Sequence, residues 1–133
     1  MKKATLLLLV AACASCSKSG NDPTPTLQGT WTWSESTYVT SPKNGQPGTS
    51  VTSHLKAYSE MYAFDGNGRL VITYNGNTTN NCTYTYNDPT LTIVTSFNTG
   101  TFSVSELSAH RLVWTQETED TNNRYALTET LTR

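Results

Sequence analysis

Apolar and polar residues alternate with a period of two through most of the chain. Leu91 and Ile93 alternate with threonines, and Phe102 and Val104 with Ser103 and Ser105. Leu112 and Trp114 alternate with Val113 and Thr115, and Tyr125, Leu127 and Leu131 with Ala126, Thr128 and Thr130. A period of two marks strands with one buried face. Turn residues bound eight such segments: Leu27–Thr37, His54–Phe64, Arg69–Tyr74, Asn81–Tyr86, Thr90–Thr95, Gly100–Leu107, Arg111–Glu117 and Asn123–Thr132. No segment after the N-terminal region carries helical periodicity.

The connections sort into two classes. Asp65-Gly66-Asn67-Gly68, Asn87-Asp88-Pro89 and Ser108-Ala109-His110 are tight. Residues 38–53, 75–80, 96–99 and 118–122 read as longer loops. In an up-and-down arrangement alternate loops share an end, so one end is closed by turns and the other is ringed by loops. Eight antiparallel strands in chain order close into a barrel, which leaves no exposed edge. The expected fold is therefore all-β, an eight-stranded antiparallel up-and-down barrel over residues 27–133.

Parity assigns the interior. Trp31, Trp33 and Glu35 face in from the first strand, and Tyr58, Glu60, Tyr62 and Phe64 from the second, unless a β-bulge there changes the parity. Leu70, Ile72, Tyr74, Cys82, Tyr84, Tyr86, Leu91, Ile93, Phe102 and Val104 follow. Leu112, Trp114, Gln116, Tyr125, Leu127, Glu129 and Leu131 complete the set. This interior is aromatic with a few polar groups, the lining of a small-molecule site. It is also the lining of a filled core, with the carboxylates at a wet rim or paired with Lys56, Arg69, Arg124 or Arg133.

The N-terminus breaks the pattern. Met1-Lys2-Lys3 is a positive head, Leu6 to Ala12 is an apolar run, and Cys13 and Cys16 each follow small residues. The run is shorter than the roughly 20 residues a spanning helix needs. It reads as a secretion signal ending in a lipid-attachment cysteine. Cys16 is the favoured site, because it leaves the longer apolar run. Cys13 is the alternative, because Val10-Ala11-Ala12-Cys13 better fits the lipobox. Residues 1–16 are then the signal, and residues 17–26, polar with Pro23 and Pro25, a flexible tether reaching at most about 35 Å. Two acyl chains anchor stably, so the expected partner is a membrane held through the N-terminal lipid. Ser17 offers no acidic retention signal, and outer-membrane delivery is expected by analogy with other Gram-negative lipoproteins. Which side of that membrane the domain occupies is left open.

Composition narrows the functions. Net charge is −1 and charged residues are 14% of the chain, without a basic patch, which argues against nucleic acid. His54 and His110 are isolated, so no metal set is expected, and no cofactor motif stands out. No nucleophile–base spacing is evident, and an enzyme is not expected. Cys82 is the remaining cysteine if Cys16 is lipidated. It reads as a buried small hydrophobe, with a reactive thiol as the other possibility.

Gly29-Thr30-Trp31 resembles the first signature of the lipocalins. Leu27-Gln28-Gly29-Thr30-Trp31-Thr32-Trp33, Phe64-Asp65-Gly66-Asn67-Gly68 and Leu127-Thr128-Glu129-Thr130-Leu131-Thr132-Arg133 look, in that order, like segments of the lipocalin-like lipoproteins of the Bacteroidetes. The resemblance implies a barrel in which Trp31 packs beneath the interior against Arg133. The domain is expected to be monomeric, and aromatic walls with a few hydrogen-bonding groups suit a small, flat or elongated, mostly apolar ligand. Entry between the longer loops would make Trp33, Glu35, Tyr58, Glu60, Tyr74, Phe102, Trp114, Gln116 and Tyr125 the contacts. The competing expectation is a filled barrel that displays its loops to an envelope protein or a glycan. A cavity of about 300 Å3 or more at the long-loop end favours the first; a packed interior favours the second.

Overall fold

The computed structural model describes residues 24–54 and 60–133. Among these the fold is all-β: β1 Gly29–Pro42, β2 Thr49–Ser53, β3 Glu60–Phe64, β4 Arg69–Tyr74, β5 Asn77–Asn87, β6 Thr90–Val94, β7 Thr99–Leu107, β8 Arg111–Glu119 and β9 Asn123–Thr132. Neighbours pair antiparallel in the order β2-β1-β3-β4-β5-β6-β7-β8-β9. A further pairing of β1 with β9 closes β1 and β3–β9 into an eight-stranded barrel.

β1 shapes one wall. Its first residues pair with β3 through Gly29↔Phe64 to Thr32↔Met61. Its later residues pair with β2 through Ser36↔Ser53 to Thr40↔Thr49. β9 follows β1 along its whole length, from Thr132 opposite Thr32 to Asn123 opposite Pro42. The β1–β2 hairpin and the start of β9 therefore form one ribbon at the end of the barrel away from the chain's last residue.

Three expectations change here. Of the strand expected over His54–Phe64, β3 takes Glu60–Phe64, His54 is outside any strand, residues 55–59 lie outside the described residues, and a further strand, β2, forms upstream. The loop expected over 38–53 is mostly strand on both sides of a turn at 43–48. Its Ser, Thr, Tyr and Val residues prefer strands, but β2 is exposed throughout, so no apolar alternation marks it. The loop expected over 75–80 is a two-residue turn. Asn75 and Gly76 have φ of 50° and 79°, the two positive values a type I′ hairpin requires. Residues 95–98 and 120–122 also make short turns. Hairpin tips, not long loops, surround the mouth.

The interior parity holds along most strands. Leu70, Leu91, Leu112 and Leu131 are fully buried with Trp31 and Trp114, and Leu27, Trp33, Tyr62, Phe64, Cys82, Ile93 and Val104 complete the core; Val113, expected on the outer face, is buried as well. Met61 and Ala63 are only half-buried, as β3's parity requires. The register shifts in β1 between Trp33 and Glu35, and also between Ile72 and Thr73 and between Val104 and Glu106. In β1, one inserted residue moves every later side chain to the opposite face. Ser36 and Tyr38 then stand opposite the inward Glu129 and Leu127, and Glu35 opposite Thr130 on the outside.

Candidate functional site

The two ends of the barrel differ in chemistry. At the base, Trp31 donates its indole N–H to the Leu27 carbonyl at 2.8 Å. The Arg133 guanidinium lies over the same ring, 4.1 Å from its centroid. Its Nε donates to the Ala109 carbonyl at 2.7 Å and its Nη1 to the Gln28 carbonyl at 2.6 Å. Gly29 is required twice over. Its φ is +123°, and a Cβ there would sit 2.9 Å from Arg133 Nη1. The Trp31–Arg133 pairing implied by the lipocalin resemblance is thus present, and it plugs this end.

Asp65 organises the neighbouring β3–β4 turn. Its Oδ1 accepts the backbone N–H groups of Asn67 and Arg69 at 2.7 and 2.9 Å. Those donors hold its carboxyl below the usual range.

The other half of the interior is not filled. A recess of about 160 Å3 is lined by Tyr62, Ile72, Ile93, Thr95, Asn98, Gly100, Phe102, Trp114, Gln116 and Glu129. Trp114 is its floor. Tyr62 meets that ring edge-on at 5.2 Å, and Phe102 lies tilted to it at 5.4 Å. The Trp114 indole donates to Glu129 Oε2 at 2.7 Å. Burial raises the Glu129 carboxyl above its ordinary range; the Trp114 and Trp33 indoles oppose that shift, and Glu60 adds to it. The Tyr62 hydroxyl donates to Glu60 Oε1 at 2.9 Å. Burial, with the nearby Glu129 and Glu60 carboxylates, pushes that phenol well above its usual range, so it stays a donor.

Of the residues expected to contact a ligand, Phe102, Trp114 and Gln116 line this recess. Trp33 is buried behind it and Glu60 borders it through Tyr62. Tyr74 stands opposite Glu60 at the rim. Glu35 leaves the set: beyond the bulge it faces out and pairs with His54 at 3.1 Å. Tyr125 is separated from it too, being four residues above Glu129 on β9, about 13 Å along a strand. There it stacks on Tyr38 at 5.9 Å and donates to Asp120 Oδ2 at 2.6 Å. Tyr58, Lys56 and both candidate lipidation cysteines lie outside the described residues.

Sequence reading missed Gly100. It sits opposite Ile93 on the inner face, and a Cβ there would lie 2.9 Å from the Phe102 ring. A lone glycine within an alternating strand was the available signal, since such a residue marks close approach or empty space.

Larger depressions, of about 560 and 710 Å3, lie elsewhere. The first is at the β8–β9 hairpin tip, lined by Glu117, Glu119 and Arg124, and the second is between residues 25–28 and the Gly66–Gly68 turn. Neither is lined by Trp114 or Glu129, although the second touches Leu27, Tyr84 and Tyr86 at the base. Among the described residues, no group of His, Cys, Asp and Glu could hold a metal ion. Cys82 is buried, unpaired by any disulfide, and its thiol is pushed up by burial.

Fold and site together define a closed antiparallel barrel, plugged at one end and hollow at the other. Comparisons with protein-family profiles, curated proteins and solved structures returned no match to the chain.

Proposed function

We propose that this protein is a lipid-anchored barrel of the cell envelope that binds a small, mostly apolar molecule, on the plan of the lipocalin-like lipoproteins. The observation that carries the binding reading is the recess of about 160 Å3 beside Trp114. Drug-sized ligands occupy roughly 300–1,000 Å3. At about 160 Å3 the recess falls short of the roughly 300 Å3 expected for that reading, and it suits a molecule of single-ring size at most. The Gly29–Trp31–Arg133 arrangement supports the kinship, and the Met1–Cys16 pattern supports the lipid anchor.

Binding is tested by titrating the full chain with single-ring probes while following tryptophan fluorescence. A saturable change that Trp114→Phe weakens is expected. Absence of saturable binding by any single-ring probe at millimolar concentration refutes the binding reading. The anchor is tested separately, by mass spectrometry of the mature N-terminal peptide. An acylated cysteine at position 16 or 13 is expected, and an unmodified N-terminus beginning elsewhere removes the envelope assignment.

One feature favours display to a macromolecule as the second reading. Phe97, at the tip of the β6–β7 turn, is 90% exposed at the same end of the barrel as the recess. Under that reading Phe97→Ser abolishes association with an envelope partner, and probe binding at Trp114 is absent.

A further inference from the structure

The recess is aromatic, but it is not electrically neutral. Glu129 lies in its wall, and Glu60 is joined to it by the hydrogen bond from Tyr62. The donors to these carboxylates are an indole and a phenol, both uncharged. No described cation offsets them. Lys43 and Arg124 pair with Glu119 at the β8–β9 tip, and Arg111 pairs with Glu106. Arg69 reaches Asn81, His54 pairs with the outward Glu35, and His110 contacts the Arg133 backbone. Arg133 itself is at the plugged base, about 13 Å along β9 from Glu129. Two half-buried carboxylates near one another repel, and among the described residues neither has a countercharge.

The surrounding rings are equally particular. Trp114, Tyr62 and Phe102 pack around one another and border the same void. Aromatic faces attract cations, and most strongly where water is excluded. Rings, carboxylates and a void at one place describe a receptor for a cation with an apolar body.

We infer that the recess takes a small organic ammonium ion, its apolar part against Phe102 and Trp114 and its charged nitrogen beside Glu129 and Glu60. This rests on the recess being the ligand site, and it replaces a purely apolar ligand with a cationic one. The bound nitrogen supplies the countercharge that no described residue gives these carboxylates. Its substituents are small, because Gly100, Ile72 and Ile93 leave room for about one ring.

Three probes of one shape separate the possibilities: benzylamine, benzyl alcohol and benzoate, titrated into the full chain at neutral pH by calorimetry. Benzylamine is expected to bind at least about tenfold tighter than benzyl alcohol, a modest ratio for one ion pair in a partly buried site. Benzoate is expected not to bind. Glu129→Gln keeps an acceptor for the Trp114 indole and should erase the preference, bringing the affinity ratio of benzylamine to benzyl alcohol toward one. Glu60→Gln, at the half-buried rim, should reduce the preference and serves as the second variant if Glu129→Gln does not fold. Equal binding of benzylamine and benzyl alcohol overturns the cationic inference and leaves the binding reading standing. So does a preference that survives in both variants. Failure of all three probes overturns the binding reading and this inference with it.

Discussion

The base of the barrel allows a quantitative test through Trp31. The ring is fully buried, and an aromatic side chain hides about 150–250 Å2 on folding. At about 25 cal/mol per Å2 that is roughly 4–6 kcal/mol of transfer free energy. Truncation leaves Cβ and some relaxation, so Trp31→Ala is expected to cost about 3–5 kcal/mol, the usual range for a buried large aromatic. Arg133 contributes by two routes. Its stacking on Trp31 is worth about 0.5–2 kcal/mol. Its bonds to the Ala109 and Gln28 carbonyls persist when the ring is gone. The side chain is exposed, which weakens each route, so Arg133→Ala should cost about 2 kcal/mol. Since part of that cost is the shared stack, the double variant should lose about 0.5–2 kcal/mol less than the sum. Gly29→Ala should independently cost about 1–3 kcal/mol, because φ of +123° strains any side chain there. Urea unfolding followed by far-UV circular dichroism measures all four variants. Trp31→Phe is the substitute if the alanine variant does not fold. Additivity within about 0.3–0.5 kcal/mol would show that the guanidinium and the indole do not stabilise each other.

Gly100→Ala should push the Phe102 ring into the recess and weaken binding of a single-ring probe, while unfolding free energy changes by no more than about 1 kcal/mol; unchanged binding would mean the recess is not where the probe sits. Glu129 makes a pH prediction of definite sign. Its folded pKa is raised above the ordinary 4.5, so its contribution is most favourable below that value and is lost as pH rises through the folded pKa. The stability of Glu129→Gln relative to the parent should therefore grow as pH rises above about 4.5, and a constant difference in urea unfolding would refute the raised pKa. Cys82 should resist thiol reagents in the folded chain and react once urea unfolds it, with labelling rates followed by mass spectrometry; fast labelling of the native chain would contradict its burial.

The barrel was legible because its signal is redundant. Leu91, Ile93, Leu112, Trp114 and Leu131 each repeat the period of two, and each is buried as that period requires. The turns were legible where their chemistry is specific, as at Asp65-Gly66-Asn67-Gly68, where the Asp65 carboxylate collects two backbone donors. The β1–β2 hairpin was not. Thr49–Ser53 is exposed on both faces, so burial imposed no pattern on its sequence, and Pro47 and Gly48 beside it read as loop. An exposed ribbon is specified by pairing with its neighbours, which one sequence does not display.

The site was harder to read because it depends on register. One extra residue between Trp33 and Glu35 sends Glu35 outward to His54 and brings Tyr38 around to stack on Tyr125. No residue type at Ser34 announces that insertion. Glu129 shows the opposite case. Simple alternation put it inside, and there it seemed a liability, since an ionised carboxylate in an apolar interior needs a partner. The pairing of Trp114 with Glu129 across β8 and β9 supplies an indole donor, and the recess beside them supplies space. An interior meant only for packing would gain by replacing that carboxylate with an apolar residue of similar size, because satisfied buried charges rarely add net stability. Glu129, Gln116 and Gly100, against which the Phe102 ring packs, lie together at the open half, while the plugged half holds Leu70, Leu91, Leu112 and Leu131. On the proposed binding reading, stability and binding are assigned to opposite ends of one barrel. Changes around Glu129 should alter what the protein holds, and changes around Trp31 should alter whether it folds.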